Sequence, residues 1–238
     1  MMKKIIYSIV SFVLVSCSSG PIDAQEIKNV SAVEFNKLIN SDEGIILDVR
    51  TIDEVNEGHI KDATNIDFYA SDFSAKLNLI RKDVPIYVYC RSGGRSSKTV
   101  ALMRELGFKK VYNLLGGFGA WKLDGFKVVI TKGHILKKQK SISIIEFSNI
   151  IENNDVVLVD FSTQWCVPCK KMKPVIEEIK KENKDVKVVF VDADMNKELV
   201  KKYKIRGVPV FIIFKDGKEE FRHVGLIDKI ELINKIKQ

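Results

Sequence analysis

Along residues 26–130, short apolar runs alternate with stretches in which apolar residues recur at helical spacing. The runs 45–49, 86–89 and 111–115 predict buried strands, and residues 96–106 predict a helix. Strands and helices that alternate in this way favour a parallel sheet with helices on both of its faces.

The alternation restarts after residue 140 and predicts a second unit. Asp216-Gly217 lies between two strand-like runs and is a hairpin signal, so the last two strands are expected to be antiparallel. The predicted strands are 156–161, 186–192, 210–214 and 219–224, and the predicted helices are 168–182 and 227–237. A sheet of this kind is mixed, which distinguishes the second unit from the first.

Length and composition suit two small globular domains. The chain has 238 residues, 45% hydrophobic and 29% charged, so wholesale disorder and a collagen-like architecture are excluded. The predicted fold class is α/β, with domains at 26–130 and 141–238 and a linker at 131–140. The net charge is +8, but the lysines are scattered and form no basic stripe with aromatic residues. We therefore interpret the charge as solvated surface and expect no nucleic acid partner.

The N-terminus has the pattern of an export signal. Basic residues at 3–4 precede an apolar stretch, 5–15, that is too short to be a permanent membrane anchor. The following sequence, Leu14-Val15-Ser16-Cys17, resembles the lipobox of bacterial lipoproteins, in which the cysteine is lipidated and becomes the new N-terminus. An ordinary signal peptide with a cysteine near its cleavage site is the alternative.

The lipobox resemblance implies a lipoprotein signal peptide at 1–17 and a polar tether at 18–25. The protein is then expected in the cell envelope, on the periplasmic face, anchored to the membrane through Cys17. Outside the cytosol its thiols meet oxidising conditions.

Cys90 directly follows a predicted buried strand and is the first candidate for chemistry. The adjacent Gly93 and Gly94 allow the backbone to turn so that N–H groups point into one concavity, and the following helix adds the positive end of its dipole. A thiol held there beside Arg91 and Arg95 is expected to lose its proton readily. Four residues separate Cys90 from Arg95, one fewer than cysteine phosphatases use, so the loop suits a sulfur species better than a phosphoryl group.

Other positions complete a recognisable set with this loop. They are Asp48-Val49-Arg50, Glu54, Gly58-His59-Ile60, Ala63, Asn65, Gly116-Gly117-Phe118 and Trp121. Together they resemble a single-domain rhodanese over roughly residues 26–130. His59 is interpreted as a residue that fixes a loop, with a catalytic base as the alternative, and Asp48 and Arg50 are interpreted as structural residues.

The rhodanese resemblance implies that Cys90 is the catalytic nucleophile, which takes sulfur from a donor such as thiosulfate and becomes a persulfide. It also implies that Arg95 holds the loop and binds the donor. The implied substrate-binding residues are Arg91, Ser92, Gly93, Gly94, Arg95 and Ser96. The alternative is an inert buried cysteine on a degenerate domain.

Trp165-Cys166-Val167-Pro168-Cys169 forms the second candidate site, because it follows a predicted strand and opens a helix. This spacing is expected to expose the first thiol at the helix N-terminus and to place the second one turn inward, where it resolves a mixed disulfide. A zinc site would need two more ligands, and the sequence has no second cysteine pair or histidine cluster. We predict no metal and no cofactor.

Two more elements belong with the dithiol. Asp160 lies within the apolar run 157–161, so burial is expected to raise its pKa and let it exchange a proton with Cys169. An aspartate at a frayed strand end is the alternative. The Val208–Pro209 bond precedes a predicted strand and is a candidate for a cis peptide bond.

These features, with Pro174, Gly217 and Gly225, resemble a thioredoxin over about residues 141–238. The resemblance implies that Cys166 attacks a substrate disulfide, Cys169 resolves it and Asp160 assists proton transfer. It further implies a redox disulfide between the two cysteines and a substrate groove lined by Trp165, Val208 and Pro209. Val167 and Val210 depart from the glycine and threonine common in the family, which leaves redox potential and partner choice open.

The two units suggest a coupled function. A persulfide on Cys90 has to be discharged, and a reduced dithiol is a competent acceptor. The leading hypothesis is therefore an exported, membrane-tethered sulfurtransferase whose Cys166/Cys169 dithiol is its sulfur acceptor or reductant. One alternative is a periplasmic thiol–disulfide reductase in which the first domain docks partners or senses sulfur. Another is a non-catalytic scaffold.

These hypotheses predict a small set of partners. They are a small sulfur donor such as thiosulfate, protein disulfide substrates, and the membrane that holds the lipid anchor. Because cytosolic thioredoxin reductase cannot reach an exported chain, a membrane electron carrier is expected to reduce the dithiol.

Overall fold

A computed structural model describes residues 25–41, 43–130 and 141–238. The predicted signal peptide, Cys17, the linker at 131–140 and all but the last residue of the predicted tether lie outside the described residues. No helix within the described ranges is long and apolar enough to cross a membrane.

The first domain alternates strands and helices from its beginning. Its elements are β1 (Glu26–Val30), α1 (Ala32–Ser41), β2 (Ile45–Asp48), α2 (Ile52–Asn56), β3 (Thr64–Asn65), α3 (Phe73–Leu77), β4 (Ile86–Tyr89), α4 (Gly94–Glu105), β5 (Lys110–Leu114) and α5 (Gly117–Leu123). The strands form one all-parallel sheet in the order β1-β5-β4-β2-β3. The all-parallel sheet confirms the predicted α/β class of this domain.

β4 occupies the centre of this sheet, and all four of its residues are buried. A strand covered on both faces has to be apolar throughout, which explains the continuous run at 86–89. Since parallel strands end at the same edge, the loop after β4 opens at the carboxyl edge of the sheet, where α/β folds bind ligands.

The second domain is built around a mixed sheet. Its elements are α6 (Ile144–Glu152), β6 (Val156–Ser162), α7 (Val167–Glu182), β7 (Val186–Asp192), α8 (Lys197–Lys202), β8 (Val210–Lys215), β9 (Lys218–Val224) and α9 (Lys229–Lys237). The strand order is β7-β6-β8-β9. β7 is parallel to β6, whereas β8 is antiparallel to both β6 and β9. This arrangement confirms the predicted mixed sheet and its terminal hairpin.

The two domains contact each other directly. The N–H of Val208 donates a hydrogen bond to the carbonyl oxygen of Leu79 (2.9 Å), and the N–H of Val167 donates one to Oγ1 of Thr64 (3.2 Å). One apolar cluster runs without interruption from buried residues of the first domain to those of the second. A cleft of about 500 Å³ beside these contacts is lined by both domains.

Candidate functional site

The backbone after β4 wraps around the sulfur of Cys90. Gly93 has φ 103°, a left-handed conformation that glycine adopts without a Cβ clash, and it caps the N-terminus of α4. This turn directs the N–H of Gly93 at Cys90 Sγ, with 3.1 Å between the two atoms. Cys90 is a free cysteine and is only 1% exposed.

The surroundings of Cys90 favour its thiolate. Burial alone raises the pKa of the thiol, but hydrogen bonds from the Ser96 hydroxyl and from the N–H groups of Ser96, Ser92 and Gly93 outweigh that effect. The pKa of the Cys90 thiol is therefore lowered from its ordinary value. A donor set of this kind stabilises any anion on sulfur, whether thiolate or persulfide.

A second glycine turn supports the loop from beneath. The N–H groups of Phe118 and Gly119 donate to the carbonyl oxygens of Cys90 (2.7 Å) and Arg91 (3.0 Å). Gly117 has φ 59°, and a Cβ there would overlap the Cys90 carbonyl. The sequence motif at 116–118 was identified only through the family resemblance, and the structure supplies its physical role.

Arg95 is held in a bidentate ion pair with Glu54. Both of its terminal nitrogens donate to Glu54 carboxylate oxygens, at 2.7 Å each. The hydrogen bond from Arg95 is the largest cause that lowers the pKa of Glu54 to about 2. The Tyr69 ring lies 5.6 Å from the guanidinium carbon. Arg95 thus ties α4 to α2, and its charge is already matched by a carboxylate.

Glu54 belongs to the rhodanese-like set of residues, but its ion pair with Arg95 and the contact with Tyr69 were not predicted from the sequence. The capping box that Thr51 forms with Glu54 at the start of α2 was a local signal for Glu54. Arg91 and Ser92 form the exposed part of the loop, whereas Ser96 is fully buried.

The residues interpreted as structural lie beneath the loop. Arg50 pairs with Asp48 through a 2.6 Å ion pair in which both side chains are almost completely buried. Its guanidinium also donates to the carbonyl of Gly58 (2.8 Å) and lies over the Phe118 ring at 4.1 Å. The backbone of His59 bridges Val129. These contacts join separate loops of the first domain, as expected of structural residues.

Cys166 and Cys169 form a disulfide at the start of α7. Cys166 is the N-cap of the helix, and its sulfur accepts a hydrogen bond from the N–H of Cys169 (3.1 Å). Both residues are only 3% exposed. The expectation of an exposed first cysteine is therefore wrong for this arrangement, because the first domain packs against the neighbouring Val167 and Val208.

Asp160 lies inside β6 and is 2% exposed, so the frayed-end alternative is excluded. Burial raises the pKa of its carboxyl group to about 7, while the hydrogen bond with Ser162 and the charge of Lys173 act in the opposite direction. Its Oδ1 atom is buried and has no hydrogen-bond partner among the described residues. A carboxyl group in this state can hold or release a proton near neutral pH.

The remaining predicted residues surround the disulfide. The Val208–Pro209 peptide bond is cis, and the carbonyl oxygen of Val208 lies 3.8 Å from Cys166 Sγ. Nε1 of Trp165 donates to Oδ2 of Asp194 at 2.7 Å, which fixes the indole beside the cysteine. Sequence reasoning missed Asp194, and it also missed the contacts from Leu79 and Thr64. No local pattern identifies those two, because they come from the other domain.

The structure does not bring the two cysteine sites together. Val167, next to Cys166, contacts Thr64 of β3, the edge strand. Cys90 extends from β4, which is two strand spacings or about 10 Å from β3. Within the described ranges, no group of three or more histidine, cysteine, aspartate or glutamate side chains could hold a metal ion.

Two family models match the chain side by side. The model described as Rhodanese-like domain matches residues 31–124, and the one described as Thioredoxin matches residues 138–238. The chain is therefore a fusion of two domains that each have a known family.

Individual relatives are similar to part of the chain. A thioredoxin from Mycoplasmoides gallisepticum is 40% identical over 87 residues, which cover 37% of this chain and 87% of the relative. A thioredoxin from Chlamydia trachomatis is 43% identical over 81 residues, covering 34% of this chain and 79% of the relative. The crystal structure of a rhodanese-related protein from Thermoplasma volcanium is 27% identical and covers 44% of this chain and 99% of that chain, with a TM-score of 0.40.

Proposed function

Because the chain belongs to the thioredoxin family and carries a rhodanese-like domain ahead of its thioredoxin domain, we propose that it is an exported sulfurtransferase. Cys90 takes sulfane sulfur from thiosulfate or a related donor and holds it as a persulfide. The Cys166/Cys169 dithiol then accepts that sulfur or reduces the persulfide. The two domains together support a redox or sulfurtransferase type of activity.

The observation that carries the proposal is the set of hydrogen-bond donors around Cys90. Three backbone N–H groups and the Ser96 hydroxyl surround a buried sulfur and lower its pKa. An inert structural cysteine is buried in apolar surroundings, which raise the pKa of its thiol. The pKa of Cys90 is lowered instead. The alternative of a degenerate domain is therefore not favoured.

The first step balances as a sulfur transfer. The Cys90 thiolate attacks the outer sulfur of thiosulfate, the sulfur–sulfur bond of the donor breaks, and sulfite leaves with the bonding electron pair. The product is a Cys90 persulfide anion. We expect the N–H groups that stabilise the thiolate, such as that of Gly93, to stabilise the persulfide anion as well.

The second step needs two electrons, which the reduced dithiol supplies. The Cys166 thiolate attacks the outer sulfur and releases the Cys90 thiolate. Cys169 then attacks Cys166, the disulfide forms, and the transferred sulfur leaves as sulfide. Asp160, with its pKa raised to about 7, is suited to accept the proton of Cys169.

Direct transfer requires the domains to rearrange, since β3 and β2 separate the dithiol from the strand that bears Cys90. A tethered domain samples its neighbour at an effective concentration of about 1 mM for a short flexible linker. The oxidised dithiol must afterwards be reduced again, and for an exported protein we propose a membrane electron carrier.

Mass spectrometry of a soluble form that lacks residues 1–17 tests the reaction. With thiosulfate, the variant in which Cys166 and Cys169 are both serine is expected to accumulate one extra sulfur on Cys90. The reduced parent is expected to clear that sulfur as sulfide and form the disulfide. The Cys90→Ser variant is the control. If Cys90 takes no sulfur from thiosulfate or from a polysulfide, the sulfurtransferase proposal is wrong.

A second candidate function is supported by the contact between the domains. Leu79 of the rhodanese-like domain binds the backbone beside the dithiol, as a docking module would. The protein would then be a membrane-tethered thiol–disulfide oxidoreductase acting on protein disulfides. Insulin reduction and cellular function that are unchanged in Cys90→Ser favour this candidate, whereas loss of cellular function favours the sulfurtransferase.

Export and anchoring are proposed from the N-terminal sequence alone. The proposal places the protein in the cell envelope, on the periplasmic face, with a lipid on Cys17. The mass of the N-terminal peptide in membrane extracts tests it. An unmodified Cys17 found there contradicts the lipid anchor.

A further inference from the structure

A segment of the rhodanese-like domain lies across the backbone beside the dithiol. The carbonyl oxygen of Leu79 accepts a 2.9 Å hydrogen bond from the N–H of Val208. The carbonyl oxygen of the same Val208 lies 3.8 Å from Cys166 Sγ. One residue of the second domain therefore contacts both the reactive sulfur and the main chain of the first domain.

The Arg81 side chain, two residues after Leu79, lies in a slot formed by Gly207 and Gly225. A Cβ at Gly207 would lie 3.1 Å from Cγ of Arg81, and a Cβ at Gly225 would overlap the Arg81 guanidinium. Gly225 is held next to the cis proline, because its N–H donates to the carbonyl of Pro209 at 2.8 Å. Any side chain at either glycine would obstruct the arginine in its present position.

An ion pair with Asp83 holds the Arg81 side chain in this orientation. Asp83 accepts two hydrogen bonds from the Arg81 guanidinium, at 2.6 and 3.1 Å. Leu79 and Ile80 are 8% and 2% exposed and belong to the same apolar cluster as Trp165 and Cys166. Main-chain hydrogen bonding, apolar burial and a fitted charged side chain thus act together on three consecutive residues.

We propose that the segment 79–81 is a resident occupant of the groove in which the dithiol domain binds its protein substrates. The inference rests on the second candidate function, in which the dithiol domain reduces protein disulfides and Trp165, Val208 and Pro209 line the groove. A protein disulfide and the segment 79–81 compete for the same N–H of Val208 and the same space above Gly207 and Gly225. Reduction of a protein substrate therefore requires the rhodanese-like domain to move away first.

The competition has a simple quantitative form. The apparent affinity for an external substrate is reduced by the fraction of molecules in which the groove is open. A substitution that weakens the resident contact raises that fraction, and every process that needs the open groove accelerates by the same factor until the open form predominates. The two processes suited to measurement are insulin reduction and modification of reduced Cys166 by a bulky maleimide.

The test uses the soluble chain without residues 1–17 and the variant Arg81→Glu, which places a negative charge in the slot. The matched control is Arg104→Glu, at an exposed position in the last turn of α4. Loss of one well-packed charged anchor is expected to accelerate both processes about fivefold to tenfold. The control variant is expected to match the parent in both.

A separate peptide that contains the segment 79–81 is expected to have the opposite effect, inhibition. A synthetic peptide with the sequence of residues 76–84 is expected to slow insulin reduction by Arg81→Glu, because it occupies the vacated groove. The same peptide with glutamate in place of the residue-81 arginine is expected to inhibit several times more weakly. If circular dichroism finds Arg81→Glu unfolded, Arg81→Ala replaces it, since it vacates the slot without adding a charge.

The outcomes separate this inference from the second candidate function, the reduction of protein disulfides. If modification of Cys166 is no faster in Arg81→Glu than in the parent, the resident occupant is disproved, whatever the insulin result. If modification accelerates but neither protein reduces insulin, the occupant stands and the reductase activity fails. Acceleration of both processes, with inhibition by the peptide, supports both.

Discussion

The two cysteine sites have the same local arrangement but differ in which domain covers the sulfur. Cys90 and Cys166 each lie between a buried strand and the N-terminus of a helix, with an N–H group 3.1 Å from the sulfur. The walls around Cys90 come from its own domain, through the turn at 116–119 and the Glu54–Arg95 pair. The dithiol is covered partly by the other domain. The contacts around Cys90 therefore do not depend on how the two domains are placed, whereas movement of the first domain would expose the dithiol.

The sites also differ in how they stabilise charge. Backbone N–H groups surround Cys90, and these donors favour an anion that stays on sulfur. The dithiol has a buried carboxyl group in the neighbouring strand instead, and Asp160 with a pKa of about 7 can take up and release a proton. A persulfide carrier needs a stable anion, and a disulfide exchanger needs proton movement. The contrast matches the two proposed functions.

The largest expected effect comes from filling the turn beneath Cys90. In Gly117→Val, the new Cβ would overlap the Cys90 carbonyl and lie 2.8 Å from the carbonyl carbon of Arg91, at a φ of 59°. Displacement of the loop is expected to slow persulfide formation about 100-fold or more, because misplacement of about 1 Å can have that effect. Mass spectrometry of Cys90 measures the rate.

Insulin reduction by Gly117→Val is expected to change little if the two sites are independent. Gly125→Ala is the control, since it also has a positive φ (74°) but nothing within 4 Å of the added Cβ. Equal loss of persulfide formation in the two variants would show that strain, and not the overlap with the Cys90 backbone, is the cause.

Asp160→Asn sharpens the comparison through the pH dependence of stability. Burial raises the pKa of Asp160 from 3.8 to about 7, so between those values the folded protein keeps a proton that the unfolded chain has lost. The free energy of unfolding therefore falls as the pH rises through this window. The asparagine variant should be more stable than the parent by about 2–4 kcal/mol at pH 8, with the difference much smaller at pH 4.

Amide hydrogen exchange of β6 in the oxidised protein measures this effect for the second domain alone. Asp155→Asn, at an exposed position just before β6, is the control. A stability gain in Asp160→Asn that is equal at both pH values would contradict a buried, titrating carboxyl group. The variant should also slow the resolving step, which insulin reduction at pH 7 detects.

Glu54→Gln should weaken the ion pair with Arg95 that supports the Cys90 loop, and leave the dithiol site unchanged. The pKa of Glu54 is lowered from 4.5 to about 2, first by the Arg95 hydrogen bond. Its contribution to stability is therefore fully present above about pH 4.5 and is lost as the pH falls towards 2. Because both side chains are partly exposed, we expect a loss of about 1–2 kcal/mol at pH 7.

Hydrogen exchange of α4 at pH 7 and near pH 3 measures this loss, with Glu57→Gln at the exposed C-cap of α2 as the control. The difference between the parent and Glu54→Gln should be clearly smaller near pH 3 than at pH 7, because the pKa of Glu54 is about 2. A difference that persists unchanged would mean that the carboxylate charge is not what stabilises the loop.

The smallest expected effect is at the exposed boundary between the domains. Lys171 Nζ lies 3.5 Å from Asp62 Oδ2, with both side chains about half exposed. Pairs of this kind contribute a few tenths of a kcal/mol, so Asp62→Lys should accelerate maleimide modification of Cys166 no more than about twofold. Adding Lys171→Asp should reverse the change. An effect as large as that of Arg81→Glu would mean that surface charge, and not the groove contact, holds the domains together.

Local sequence patterns predicted the sheets and both cysteine sites, because each rests on short-range chemistry. Buried strands such as β4 and β6 are continuous apolar runs, and the Cys90 loop and the dithiol are each contained in a few consecutive residues. The helix α4 begins two residues earlier than predicted, since Gly93 caps it. β1 was not predicted, because it is a partly exposed edge strand whose sequence is mostly polar.

What the sequence did not predict depends on distant partners. The short elements α2, α3 and α8 have too few residues for a periodic signal. The pairing of Glu54 with Arg95 joins residues 41 positions apart, and the contact of Leu79 with Val208 joins two domains. Neither pairing can be read from the residues that neighbour it in sequence. The burial of Cys166 was therefore not predicted, because it depends on the contact between the domains.

The ion pair between Arg95 and Glu54 has a consequence for ionic strength. Because the guanidinium is already neutralised by a carboxylate, an anion at Cys90 is held mainly by oriented backbone dipoles at hydrogen-bond distance. Dissolved salt screens interactions over about 10 Å at 0.1 M, and contacts of 3 Å within a buried loop are screened far less. The stability of the proposed persulfide anion at Cys90 should therefore depend only weakly on ionic strength.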